Sequence, residues 1–434
     1  MTSAANNDGI LAGKTILRFA HAYESGGGTE RYLDDVDQAL LSRNAMTIVR
    51  MHITRNPAPG GPIEQKIGRG TLVRVPLPIE SSGGPFEADD EETPSERFKR
   101  WLRNSILYQP IVWDLFGARY TRSRVLPKKA GQAIGAGPAA AEILLTRRID
   151  AAIMHFFGGA DAEEVLQAVN KASVPCALLN HYSNDRFLNL AIRKHTLLAD
   201  RVSGVNGLDV PSYARGRFVN LSDGIDIDFF RRQNARPLAN PPAEPIFLLP
   251  ARVTREKGQL DLIQAAARLH RIGTPVAIAF AGRFDNDVFT EEVRALIARE
   301  GLNNFVHFLG PLNLESLRDW YAASAAIALP TYHHEGLPRI LLEAQAMECP
   351  VIAYATGGVA DGVEEDRTGY LLKTGDKTGL VDRMHKLATQ AGIRARLGKA
   401  GRIAAESRFN LAALAQRHEQ FYLELIRESA STKR

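Results

Sequence analysis

Short apolar runs recur along the chain, separated by longer stretches in which apolar residues return every three or four positions. The first pattern is that of strands buried on both faces, the second that of amphipathic helices. Strands are predicted at 15–20, 47–53, 72–77, 151–156 and 174–179, with a further one at 202–205 and a helix at 161–171. A second alternating series predicts strands at 246–249, 276–281, 306–308, 326–329 and 351–354, with helices starting near Glu256, Asp287, Leu314 and Gly336. Such alternation builds parallel sheets from βαβ units. The expected fold class is therefore α/β, with two doubly wound Rossmann-like domains and a ligand cleft between them at the carboxyl ends of the strands.

The two series are separated by residues 234–245, which carry four prolines and no apolar periodicity and read as a linker. At 434 residues the chain exceeds one ordinary core. The expected division is a first domain at 1–235, a second at 243–405, and a C-terminal helix at 406–434 that returns to the first domain.

Composition changes this picture little. Hydrophobic residues at 45% and charged residues at 24% are ordinary for a globular protein. Cys176 and Cys349 are too few for a disulfide framework and read as buried thiols of a reducing compartment. No apolar run reaches the length of a membrane span, and the first residues lack a basic-then-apolar export pattern, so a cytoplasmic location is expected. A formal charge of +5 favours anionic partners.

Three segments carry candidate chemistry. In Glu335-Gly336-Leu337-Pro338-Arg339-Ile340-Leu341-Leu342-Glu343, two carboxylates stand eight residues apart after a strand. On a helix that is about 12 Å, the reach from a hexose across a diphosphate to a ribose. Free N–H groups at a helix start would meet the diphosphate between them, and a carboxylate accepts from vicinal hydroxyls at either end. The spacing equally allows a helix-start charge at Glu335 and an Arg339–Glu343 pair. In the second segment, Arg252 and Lys257 lie on a strand-to-helix loop, where they would clamp a diphosphate or simply be solvated. The third, Gly26-Gly27-Gly28 after the first strand, permits close backbone approach to a ligand but departs from G-x-G-x-x-G.

Taken in order, these motifs, with Gly224-Ile225-Asp226 at the end of the first domain, resemble the retaining glycosyltransferase family four, of GT-B fold and Glu-x7-Glu signature. The resemblance is continuous from about Asp200 to Gly375 and patchy before it. It implies an enzyme that moves a sugar from a nucleotide diphosphate donor with retention of configuration. Donor contacts would come from Gly27, Gly28, Arg252, Lys257, Glu335, Gly336, Leu337 and Glu343. Arg252 and Lys257 would hold the diphosphate, Glu335 the transferred sugar and Glu343 the ribose. His155, at the end of a first-domain strand, would hydrogen-bond near the reacting sugar. The family uses no metal, and no cofactor is expected. The Glu-Gly-Leu-Pro-Arg wording is similar to members that build bacterial surface polysaccharide or lipid-linked oligosaccharide, which favours a UDP-sugar over a GDP-sugar and a glycan or polyprenyl-diphosphate acceptor. Leu221-Ser222-Asp223 before Gly224 departs from the family's usual turn.

Between Arg97 and Lys129 stand nine Lys or Arg residues and one acid, interleaved with aromatics. That composition suits an anionic membrane surface, or equally a solvated basic face; no nucleic-acid module accompanies it. A non-catalytic scaffold of the same fold is the alternative function, and the missing dinucleotide fingerprint argues against a nicotinamide enzyme.

Overall fold

A computed structural model of the chain describes residues 8–20, 28–54, 62–78, 135–155, 160–181, 190–208, 210–284 and 287–432. The basic stretch 97–129, Gly27 and the residues directly after His155 lie outside them.

The first sheet has eight strands in the order β3-β4-β2-β1-β5-β6-β7-β8. They are β1 Thr15–Ala20, β2 Thr47–Thr54, β3 Ile63–Ile67, β4 Gly70–Pro78, β5 Ala151–His155, β6 Cys176–Asn180, β7 Arg201–Gly204 and β8 Phe218–Asn220. All pair in parallel except the β3–β4 hairpin. Helices α1 Gly28–Arg43, α2 Ala136–Thr146, α3 Ala160–Lys171, α4 Leu190–Leu198 and α5 Ser212–Arg215 connect them. Because helices cover both faces, β1 is buried along nearly its whole length. Leu17 and Phe19 pack with Ala140, Val165 and Leu166, while Ile16 and Ala20 pack with Leu33, Val36 and Leu40.

The second sheet runs β11-β10-β9-β12-β13-β14. Its strands are β9 Ile246–Leu249, β10 Ala277–Phe280, β11 Val306–Phe308, β12 Ala326–Leu329, β13 Val351–Tyr354 and β14 Gly369–Leu372. The helices are α6 Gln259–Arg271, α7 Asp287–Arg299, α8 Leu314–Ala323, α9 Arg339–Ala346, α10 Val359–Gly362, α11 Lys377–Thr389, α12 Ala391–Arg408 and α13 Leu411–Thr432. Helix α13 leaves the second sheet and packs on α1 of the first domain. There Tyr32 Oη lies 2.8 Å from His418 Nε2, and Arg43 Nε donates to Glu419 at 2.8 Å.

In each sheet the chain starts in the middle and winds outward both ways, from β1 in the first and β9 in the second. The crevices at such switch points open beyond the strand ends. They place the loops after β9 and β12, which carry Arg252, Lys257 and Glu335, side by side.

Local expectations differ at the start of α9 and at three strands, β3, β8 and β14, that the sequence reading does not include. Helix α9 begins at Arg339 rather than near Gly336, with Pro338 at its N-cap in extended conformation. The backbone from Glu335 to Gly336 is instead spent on neighbours: Gly358 N donates to the Glu335 carbonyl and Asn206 Nδ2 to the Gly336 carbonyl. Only the second half of the Glu-x7-Glu interval is thus helical. Strand β3 was not expected because it is an exposed edge strand, Ile-Glu-Gln-Lys-Ile, without an apolar run.

Candidate functional site

The β9 loop closes through a single turn of 3-10 helix, Arg255–Lys257, and leaves it at Gly258, whose φ of 82° lies in the left-handed region. A Cβ there would also stand 2.1 Å from the Pro330 carbonyl oxygen, so this loop lies directly against the loop after β12. Backbone bonds fix the contact. Tyr332 N donates to the Glu256 carbonyl at 2.7 Å, and Thr331 Oγ1 donates to the same oxygen at 3.1 Å. Below it, Asp261 accepts from Tyr332 at 2.8 Å and Tyr354 at 2.9 Å and pairs with Lys377. Burial, then the Asp261 bond, pushes the Tyr332 hydroxyl up to about 12. It stays a proton donor.

The consequence is that Lys257 Nζ meets Glu335 Oε1 in a salt bridge, both side chains about one-seventh exposed. Thr331 Oγ1 lies 3.4 Å from the same oxygen. Arg252 stands in the same loop, exposed, with its carbonyl accepting from Gln259 at 2.9 Å. A cation and an anion held at a strand-end crevice, partly out of water, can address a ligand carrying both phosphate and hydroxyl groups.

Glu335 and Gly336 also form the junction between the domains. A Cβ on Gly336 would lie 2.2 Å from the carbonyl oxygen of His181 in the first domain. Asn206 donates to the Gly336 carbonyl at 3.1 Å, and Gly207 N donates to Asp361 at 2.6 Å. Leu337 is buried beside them. Arg339 donates to Asp223 at 2.8 Å and to Asp35 of α1. Burial raises the Asp223 carboxyl to about 6 against the pull of the Arg339 charge.

Glu343 sits deeper, fully buried. Its Oε2 accepts from Tyr321 at 2.9 Å, and its Oε1 lies 2.8 Å from Arg31 Nη1 of the first domain. That ion-pair contact does not have hydrogen-bond geometry, and Oε1 accepts no hydrogen bond among the described residues. Arg339 pairs directly with Asp223 and Asp35 and meets Glu343 only through its charge, so the i, i+4 pair is not the direct contact the side chains adopt.

His155 ends β5, fully buried, with Nδ1 2.9 Å from His181 Nε2 and the two rings stacked. Burial first, then nearby positive charge from Arg18, pushes His181 down to about 3, and burial with His181 and Arg18 pushes His155 well down. Both rings are neutral near pH 7. His155 Nε2 has no hydrogen-bond partner among the described residues. The structure therefore joins His155 to the Lys257–Glu335 pair indirectly, through the His181 backbone that presses on Gly336.

Gly28 opens α1 near Arg339. The Gly224-Ile225-Asp226 turn faces the tail: Ile225 pairs with Asn410 and Gly224 packs on Leu414. Sequence reasoning did not single out Arg31, Tyr321 or Asn206. The only signal for Arg31 was its helical phase with Asp35, four residues on.

Residues 230–404 match the sequence model of the family described as Glycosyl transferases group 1. That span holds Arg252, Lys257, Glu335 and Glu343. A D-inositol 3-phosphate glycosyltransferase of Streptomyces avermitilis is 28% identical over 197 residues, 43% of this chain and 42% of that protein. The capsular polysaccharide biosynthesis glycosyltransferase CapM of Staphylococcus aureus is 26% identical over 180 residues, 41% and 46% of the two chains. The matches thus span less than half the length of these relatives. The crystal structure of Anabaena HepE in complex with UDP superposes with a TM-score of 0.64 at 16% identity, over 95% of this chain and all of that one. At that identity the likeness is one of fold: the chain has the two-domain, Rossmann-like GT-B architecture expected from its sequence.

Proposed function

We propose that the protein is a retaining glycosyltransferase that takes a sugar from a nucleotide diphosphate, UDP rather than GDP, and passes it to a glycan or polyprenyl-diphosphate-linked acceptor of bacterial surface polysaccharide assembly. The observation that carries this reading is the meeting of Lys257 and Glu335 at the switch point of the second sheet, within the span that matches the group 1 family. The name of CapM supports the polysaccharide acceptor and the UDP in the HepE complex the nucleotide, while the Streptomyces relative supports sugar transfer but is named for an inositol phosphate acceptor.

In this reading the second domain holds the donor and the first receives the acceptor. Arg252 and Lys257 bind the diphosphate. As the bond from the anomeric carbon to the phosphate oxygen breaks, they stabilise the charge that develops on the leaving group, in a partly buried setting that strengthens the effect. Glu335 accepts from sugar hydroxyls beside Gly336 and Leu337, and Gly27 and Gly28 bring the first loop near the phosphate. Glu343 Oε1, a buried acceptor without a hydrogen bond, takes a ribose hydroxyl. His155 is a neutral hydrogen-bonding group toward the sugar. The acceptor oxygen attacks from the face the diphosphate leaves, and its proton passes to a phosphate oxygen of that diphosphate. No separate nucleophilic carboxylate, metal or cofactor enters this scheme. The basic stretch 97–129 is proposed to meet an anionic membrane surface where the acceptor is presented.

The test is a thermal-shift panel of UDP, GDP and ADP, repeated on Glu343→Ala. At a hundredfold excess over Kd a ligand contributes about 2.7 kcal/mol, roughly 5–10 °C for a domain of this size. UDP is expected to stabilise the protein and to lose that effect in the variant. Absence of stabilisation by any of the three at millimolar concentration would leave a scaffold without donor binding as the better account.

A further inference from the structure

Helices α1 and α9 come from different domains and carry their charges in the same order, cation then anion. On α1, Arg31 is followed one turn later by Asp35. On α9, Arg339 is followed one turn later by Glu343. The pairs cross antiparallel: Arg31 meets Glu343, and Asp35 meets Arg339, which also holds Asp223 of the first domain. Spacing of i, i+4 puts each pair of charges on one helix face. The ladder therefore forms only when the two domains are apposed.

Within it, Arg31 and Glu343 are unequal. The arginine side chain is 24% exposed and the glutamate 0%. Arg31 reaches in from the solvent side, while Tyr321 holds Oε2 from behind. Oε1 lies 2.8 Å from Arg31 and accepts no hydrogen bond among the described residues, and a carboxylate oxygen beside one cation still has a lone pair for a further donor. A buried carboxylate with one oxygen anchored, one oxygen unbonded and a cation beside it is oriented toward a hydroxyl donor. Removing the cation would leave an uncompensated charge and free the carboxylate to turn.

We propose that Arg31 is a positioning residue for the ribose end of the donor: reaching across from the first domain, it holds Glu343 so that Oε1 is presented to a ribose hydroxyl. This rests on the donor-site reading above. It adds that the ribose site is completed by a side chain of the first domain. Arg31 contacts no phosphate in this scheme and acts only through Glu343.

The experiment is calorimetric titration of UDP and of 2′,3′-dideoxyuridine diphosphate into the unaltered protein, Arg31→Gln, Arg31→Lys, Glu343→Gln and the double variant, each first checked for a cooperative melt. Arg31→Gln is expected to weaken UDP about tenfold or more and the dideoxy analogue less than twofold. Arg31→Lys is expected to recover part of the loss. In the Glu343→Gln background, Arg31→Gln is expected to cost nothing further, as residues acting as a unit are not additive. Equal losses for both nucleotides, or losses that add to those of Glu343→Gln, would make Arg31 a direct phosphate ligand and overturn the proposal. So would an Arg31→Gln protein that binds UDP as the unaltered chain does. If the unaltered protein binds neither nucleotide, the donor-site reading itself fails, and this proposal with it.

Discussion

Gly336→Ala is the smallest change that tests the domain junction. The added Cβ would stand 2.2 Å from the His181 carbonyl oxygen and 3.1 Å from Val205 Cγ2. The oxygen is backbone at the end of β6, so no rotamer relieves the contact, and one side must retreat by about 1 Å to reach ordinary van der Waals distance. Overpacking of this kind costs about 1–3 kcal/mol. The retreat also pulls the Gly336 carbonyl from Asn206, a buried hydrogen bond at 3.1 Å, for a further 1–3 kcal/mol or so. Two domains can separate more easily than either can unfold. The expected result is thus an opened molecule: a larger radius of gyration by small-angle scattering, UDP affinity down about tenfold, and a melting temperature lowered by only a few degrees. A variant with unchanged scattering profile, affinity and melting temperature would refute the close packing on which this reasoning depends.

Lys257→Ala removes the cation from a partly buried pair and is expected to weaken UDP by about ten- to a hundredfold, measured by titration calorimetry; affinity within twofold of the unaltered protein would contradict the diphosphate role. Tyr422→Phe deletes the hydroxyl that accepts from the fully buried Arg18 and is expected to cost about 1–3 kcal/mol in chemical denaturation. His155, His181 and His418 are all buried with folded pKa values depressed below the ordinary 6.5. The unfolded chain then binds more protons below pH 6.5, so stability is full above that value and falls as the pH drops. Each histidine withdraws stability as the pH falls from 6.5 to 5, and a melting temperature that stays flat across that window would contradict their burial as neutral rings.

The parts of this molecule that were legible in the sequence are those that bury apolar residues in uninterrupted runs. The strands expected at 246–249, 306–308, 326–329 and 351–354 stand at those positions, because each is a short block between helices, apolar throughout except for His307. Strand β3 was invisible because an exposed edge needs no apolar pattern. The start of α9 was misjudged because intrinsic helix propensity after Gly336 is overridden by two tertiary bonds, from Gly358 and Asn206. At the site, the Lys257–Glu335 meeting follows from loops at one switch point; the family resemblance gives both as donor contacts, but not their pairing. The partners of Glu343 were not legible. Tyr321 and Arg31 reach it from α8 and α1, and no local pattern records a contact between residues 31 and 343.

A crystal structure of the protein grown with UDP would show whether the crevice beside Glu335 and Lys257 is a nucleotide-sugar site. Such a site would hold the diphosphate within hydrogen-bond reach of Lys257 and Arg252, with a ribose hydroxyl on Glu343 Oε1. UDP bound elsewhere on the chain, or a crevice still closed by the Lys257–Glu335 bridge at saturating UDP, would contradict the donor-site reading.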